Sequence, residues 1–296
     1  SALFGPAKYG ILPEILSHDR LSAGNGVLEM STFLAILSGT VVGGALLDQA
    51  GTATWLAPLV LTVLAVWGFV ASWSIPQVPP ARSSGGLIET LGGAWRTLSV
   101  DRVLRLSVIG SVFFWTIASL VGQDVLVYAK AVLHLSDSLS GLPLAALSVG
   151  VAVGAVAAGR LSGERVETGL IPLGSIGIAT SLLLLGGLAP ALAGTLVLMA
   201  GLGVSCGLFV VPINSLIQWR APQDRRGSII ALANTCVYAG VLVGSLGGGL
   251  LATVGLSTTG ILTAAAIATV GGTIWALGLV PDAFIRLLLV LLTHTL

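Results

Sequence analysis

The chain has 296 residues, of which 55% are hydrophobic and only 8% are charged. A soluble domain carries about 25% charged residues, so this composition excludes a water-soluble globular fold. A mean hydropathy of +1.02 points to a protein whose solvent is lipid, and a formal net charge of +1 gives no reason to expect a nucleic-acid partner.

The first stretch, SALFGPAKYGILPEIL, reads as the apolar end of a helix, punctuated by Pro6, Gly10 and Pro13 around one lysine, Lys8. Eight long apolar segments follow, near 25–47, 52–75, 103–128, 139–159, 170–190, 194–217, 227–253 and 256–280. Each is long enough to cross a hydrocarbon core, which takes roughly 20 residues. Periodicity does not separate helix from strand in a wholly apolar run, but length does; barrel strands run to about 10 residues with alternating polarity, and nothing here alternates. The expected fold is an all-α membrane bundle of about eight complete spanning helices, preceded by the end of another.

Between the second and third segments lies PQVPPARSSGG at 76–86, a connection rich in Pro, Ser and Gly. After it, GLIETLGGAWRTLSV places Leu87, Leu91, Trp95 and Leu98 at helical spacing, which suits an amphipathic helix on the membrane surface. The chain then divides into 1–75, a linker at 76–102, six spanning segments over 103–280, and a junction at 281–296. Six segments after a long loop suggest a transporter of two six-helix halves, with 1–75 the remainder of the first.

Twelve of the 13 Lys and Arg fall in alternate connections, beginning with Lys8 and Arg20; the other set holds only Lys130. Positive loops stay cytoplasmic, so both chain ends and the linker are expected on the cytoplasmic side of an inner membrane. Small residues repeat every four positions at Ala35, Gly39 and Gly43, at Gly150, Gly154 and Ala158, and at Gly240, Gly244 and Gly248; such stripes let helix backbones approach closely.

Polar residues inside apolar segments are the candidates for chemistry. Gln123 and Asp124 are the most polar point of their segment. A charge at a helix centre costs roughly 2.5–3.5 kcal/mol, so Asp124 either faces a substrate path or anchors the outer end. Glu29 lies in the first turns of its helix, where the macrodipole favours an acid, or it contacts substrate. Asn214, Gln218 and Asn234 lie toward the cytoplasmic ends of their helices, with Pro212 placed to loosen the first. Their amides suit a lipid headgroup or a cross-link between helices. Cys206 and Cys236 read as packing residues. No metal-ligand spacing, nucleophile motif or nucleotide loop is present, so neither cofactor nor enzymatic activity is expected in this chain.

GRLSGERVE at 159–167 resembles the G-x-L-(small)-(acid)-(basic) loop of the major facilitator superfamily, with Gly163 where an acid usually stands. Arg160, Glu164 and Arg165 would then form a charge latch at the inward gate. GPAKYGILPEIL, LSAGNGVLEMSTFLAILSGTVVGG and FVVPINSLIQWRAPQDRRGSIIALAN together resemble the bacterial lysophospholipid transporters, a branch of that superfamily. The resemblance implies helices 5–12 plus the end of helix 4. It also implies movement of lysophospholipids, such as lysophosphatidylethanolamine, from the outer to the inner leaflet for reacylation; the alternatives are a drug or small-solute exporter of the same superfamily, or a non-transporting membrane anchor for a fused acyltransferase. Lys8 would be the motif lysine that attracts the lipid phosphate, where a snorkelling role is the alternative. Where ASLVGQD matches the seventh helix, some members carry an arginine and this chain has none, so Gln123 and Asp124 would define a different polar patch. The tail PDAFIRLLLVLLTHTL resembles the joint to a fused acyltransferase, often followed by an acyl-activating ligase. The implied partners are therefore lysophospholipid, membrane lipid and such an acyltransferase, and the 296 residues alone are expected not to transport.

Overall fold

Lipid offers no partner for backbone N–H and C=O groups, so a spanning chain closes those bonds within helices. The computed structural model describes residues 4–48, 55–78, 86–136, 139–163 and 166–279, and among these the regular elements are all helical. In order they are α1 (Phe4–Ile15), α2 (Leu21–Asp48), α3 (Leu56–Ser72), α4 (Leu87–Val100), α5 (Arg102–Ala131), α6 (Leu142–Leu161), α7 (Leu170–Leu188), α8 (Leu192–Arg220), α9 (Arg226–Thr253) and α10 (Thr258–Leu279), with one 3-10 turn at His18–Arg20.

Seven of these helices, α2 and α5 to α10, are long and apolar enough to cross a membrane. The chain is a multi-pass membrane protein. α3 is apolar but has 17 residues, at the short limit of the roughly 17–25 that span; residues 52–54 of that predicted segment lie outside the described residues. Local chemistry sets the helix ends. Asp101 caps α5 by accepting from the Leu104 N–H at 3.0 Å, Pro143 opens α6, and Ala189 closes α7 in a left-handed turn at φ 42° just before Pro190. Gly163 ends α6 at φ +54°. A left-handed stop suits glycine, which explains why no acid stands at that position of the loop.

The main contacts pair α6 with α8, α5 with α9, and α7 with both α8 and α10, while α2 lies along α6 and α8 and α1 touches α9. Two of the three predicted small-residue stripes are the seams of this packing. A Cβ on Gly150 or Gly154 would collide with the Ala200 or Val204 carbonyl of α8, and one on Gly203 with the Leu147 carbonyl of α6. Gly240 and Gly244 bring α9 equally close to Val112 and Thr116 of α5. The third stripe differs: a Cβ on Gly39 or Gly43 would meet nothing within 4 Å.

The expected apolar positions of the linker helix have different surroundings where they are described. Ala94 and Leu98 of α4 are buried, with α4 packed mainly on α9, whereas Leu91 and Trp95 are exposed. The apolar spacing therefore divides between a protein-facing stripe and an outward one. Arg82 and the centre of the linker lie outside the described residues, as do Glu164, Arg165 and residues 281–296.

Candidate functional site: a polar network at the basic end

The antiparallel helices bring Arg102, Arg160, Arg220 and Arg226 to one end of the bundle, called here the basic end. At a rise of 1.5 Å per residue, Lys8, Glu29, Asn214 and Asn234 all fall about 9–12 Å from the helix termini at that end. The structure joins two of them directly, Glu29 and Asn214. Tyr9 donates its hydroxyl to Glu29 Oε1 at 2.7 Å, and the Asn214 amide donates to the same oxygen at 3.1 Å. Beside them Lys8 Nζ donates to Thr32 Oγ1 at 2.6 Å, and the Thr32 hydroxyl in turn donates to the Leu28 carbonyl at 2.7 Å. Glu29 is 1% exposed, and a carboxylate so placed needs hydrogen bonds to offset the loss of water. Two neutral donors supply them, with Lys8 close by on α1.

One turn nearer the basic end, Asn25 and Gln218 form a reciprocal amide pair. Asn25 Nδ2 donates to Gln218 Oε1 at 2.7 Å, and Gln218 Nε2 returns a bond to Asn25 Oδ1 at 3.0 Å. Asn25 also donates to Ser215 Oγ at 3.2 Å. This pair ties α2 to α8, and Gly26 and Gly159 let α2 sit against the backbone of α6 at the same level. Asn234 lies beside α1, since a Cβ on Gly5 would come 3.3 Å from its amide nitrogen. Last, Arg226 at the start of α9 donates to Glu14 Oε1 of α1 at 2.6 Å. Contacts of α1 and α2 with α6, α8 and α9 therefore gather at the basic end. Beyond Thr32, α2 becomes largely exposed.

Residues 1–245 match the profile of the Major Facilitator Superfamily. The chain belongs to that superfamily. Among its relatives is the lysophospholipid transporter LplT of Yersinia enterocolitica, 32% identical over 243 residues, or 79% of this chain and 58% of that protein. LplT of Klebsiella pneumoniae is 34% identical over 246 residues, 79% of this chain and 59% of that one. LplT of Photorhabdus laumondii is 32% identical over 228 residues, 74% and 55% of the two chains. The chain thus spans less than two thirds of the length of these relatives.

Within this superfamily member, Gln123 and Asp124 stand apart from the network. They lie about 33 Å along α5 from its basic end, and their side chains diverge: Gln123 is exposed while Asp124 is 7% exposed, with Oδ2 unpartnered. Arg160 is exposed in the last turn of α6. The charge contacts that the described residues show at the basic end include Glu14–Arg226 and Asp101–Arg220, the latter at 3.0 Å, and the sequence neighbours Asp224–Arg225 at 3.5 Å. Sequence reasoning missed Tyr9, Asn25, Thr32, Ser215 and the Glu14–Arg226 pair. A usable signal existed. Ser22, Asn25, Glu29 and Thr32 fall at i, i+3, i+7 and i+10 on one face of an otherwise apolar helix.

Proposed function

We propose that this chain carries the headgroup site of a lysophospholipid transporter in the bacterial inner membrane, with the basic end cytoplasmic. The observation that carries the reading is the pairing, at one level of the bundle, of a cation and an acid that each hold neutral partners. Lys8 bonds to Thr32 and Glu29 to Tyr9 and Asn214. A zwitterionic headgroup such as phosphoethanolamine presents the complementary charges, phosphate for Lys8 and ammonium for Glu29, and can displace a hydroxyl from each. Similarity to proteins named lysophospholipid transporters supports the substrate class.

Residues 1–75 then act as part of one half of the transporter and 103–280 as the other, with residues 76–102 between them. Substrate moves from the outer to the inner leaflet, where it is reacylated. Glu14–Arg226 and Asn25–Gln218 hold the two halves together at the cytoplasmic end while the opposite end is open, and Arg160, Glu164 and Arg165 contribute to the same closure. Gln123 and Asp124 mark a second polar point met by substrate near the outer surface.

The test is expression of the gene for this protein in a host that lacks its own lysophospholipid importer. Labelled lysophosphatidylethanolamine is followed into cellular diacyl phospholipid, with and without Lys8→Ala and Glu29→Gln. Uptake that falls with either substitution supports the headgroup site. Normal uptake in both variants removes the site but keeps the transporter. No uptake from the folded, inserted product of the whole gene overturns the reading in favour of an exporter of another solute or a non-transporting anchor.

A further inference from the structure

A cavity of about 710 Å3 lies elsewhere, between α5, α7, α8 and α10, with exposed Ile109 and Trp275 on its open side. Leu106, Phe113, Ile171, Phe209, Ile213 and Trp275 line it. Its hydroxyls are already spent on protein. Ser107 donates to the Val103 carbonyl at 2.9 Å, Thr273 to the Thr269 carbonyl at 2.7 Å, and Ser175 and Thr273 are hydrogen-bonded to each other. The interior therefore asks for hydrocarbon and offers little to a polar ligand. The volume falls within the roughly 300–1,000 Å3 of small-molecule sites.

The mouth is different. It is framed at the basic end by His18, Thr168, Trp219 and Arg220. Arg220 uses Nε and Nη2 on Asp101, which leaves Nη1 for another acceptor, and its side chain is 39% exposed. His18 is exposed on the turn between α1 and α2.

Depth distinguishes one occupant. From Arg220 to Phe209 along α8 is eleven residues, about 16 Å, and one leaflet of the hydrocarbon core is about 15 Å deep. Behind Phe113 and Phe209 a second cavity of about 70 Å3 continues past Phe114 and Leu202. So small a space takes the end of one chain and leaves no place for a second to run beside it.

We infer that this cavity is a binding site for a single-chain amphiphile, with its acyl chain between α5, α7, α8 and α10 and its anionic headgroup at His18 and Arg220. The site is separate from the Lys8–Glu29 network, and its occupancy is read by binding without transport.

The purified full chain in phosphatidylcholine nanodiscs would be photolabelled with lysophosphatidylglycerol bearing a diazirine at the chain terminus, and the adducts mapped by mass spectrometry. Adducts are expected at Phe113, Phe209 or Ile213. They should be competed by unlabelled lysophosphatidylglycerol and not by diacyl phosphatidylglycerol. Ala276→Trp fills the mouth from an exposed lining position and should weaken them about tenfold, a loss of about 1.4 kcal/mol in binding; the competition arm needs no variant. Adducts confined to outward residues such as Ile176, Val270 and Ile274 overturn the inference. So does equal labelling by a neutral monoacylglycerol probe, which removes the anionic headgroup. Labelling here with no uptake by the folded product of the whole gene would keep this site and sink the transport reading, whereas uptake without such labelling would do the reverse.

Discussion

The two ends of α2 have nearly the same chemistry and opposite surroundings. From Leu21 to Thr32 the helix is packed on α6 and α8; from Leu34 onward Leu34, Ile36, Val41 and Val42 are all exposed. Both stretches are apolar and both carry small residues. What separates them is the polar stripe Ser22, Asn25, Glu29 and Thr32, present only in the packed end. In water an apolar residue seeks the core, but lipid tails are as apolar as leucine, so apolar letters do not report burial here. The amide and the carboxylate do: Ser38 and Thr40 of the exposed end return their hydroxyls to their own helix, whereas Asn25 and Glu29 take partners from other helices.

The strongest way to break this comparison uses the glycines. Gly154→Val would drive a side chain into the backbone of Val204, and overpacking at a rigid seam should cost about 3 kcal/mol. Gly43→Ala, where a Cβ meets nothing within 4 Å, should change stability by less than about 0.5 kcal/mol. Thermal unfolding in detergent, followed by size-exclusion chromatography, compares the two. Equal losses of melting temperature would show that the exposed end of α2 is packed after all.

The polar stripe gives the next effect. Glu29→Ala removes the acceptor of both Tyr9 and Asn214, and stranded buried donors should cost about 2 kcal/mol. Glu29→Gln keeps an acceptor oxygen and should recover most of that loss. Ile36→Ala in the exposed end should be nearly silent by the same assay. If Glu29→Ala were as mild as Ile36→Ala, the network would be decorative.

Glu14→Ala comes third. It leaves Arg226, whose side chain is 6% exposed, without the one carboxylate it holds, and losing a charged hydrogen bond should cost about 1.5 kcal/mol. Arg226→Met alone and the double variant complete a cycle. A coupling energy near zero would mean that the pair does not fasten α1 to α9.

The sequence legibly carried the bundle, since run length alone distinguishes spanning helices from strands. Its spans agree with the structure to within a few residues at most ends. It also carried the α6 and α9 seams through their glycine spacing. It did not reveal that the Ala35–Gly39–Gly43 stripe would lie open, because a small-residue stripe marks the capacity for close approach and not the partner. Lys8, Glu29 and Asn214 were legible singly as polar exceptions, but their meeting depends on α1, α2 and α8 converging at one level. Tyr9 was hidden for a plainer reason: an aromatic ring in an apolar helix looks like packing until its hydroxyl is seen to reach a carboxylate. Asp124 shows the converse. Being the most polar point of its segment did not bring it to the network, since helix rise alone places it near the opposite end.

Asp101 gives the smallest and most specific expectation, and it lies at the packed end of the bundle. It caps α5 and pairs with Arg220. Partial burial pushes its carboxyl up, but the Leu104 N–H and the Arg220 guanidinium outweigh that and hold the pKa below its ordinary 3.8. A lowered folded-state pKa gives stability that is fully present above the unfolded value and is lost as pH falls through the folded one. Asp101→Asn keeps a good capping side chain while removing the charge, so the difference from the parent isolates the ion pair. That difference should stay below about 1 kcal/mol, as for a partly exposed pair. It should be constant from neutral pH down to about pH 5 and shrink as pH drops through 4. A difference that persisted undiminished at pH 3 would assign the effect to packing or to the cap, and the charge of Asp101 would then have no part in holding α5 to α8.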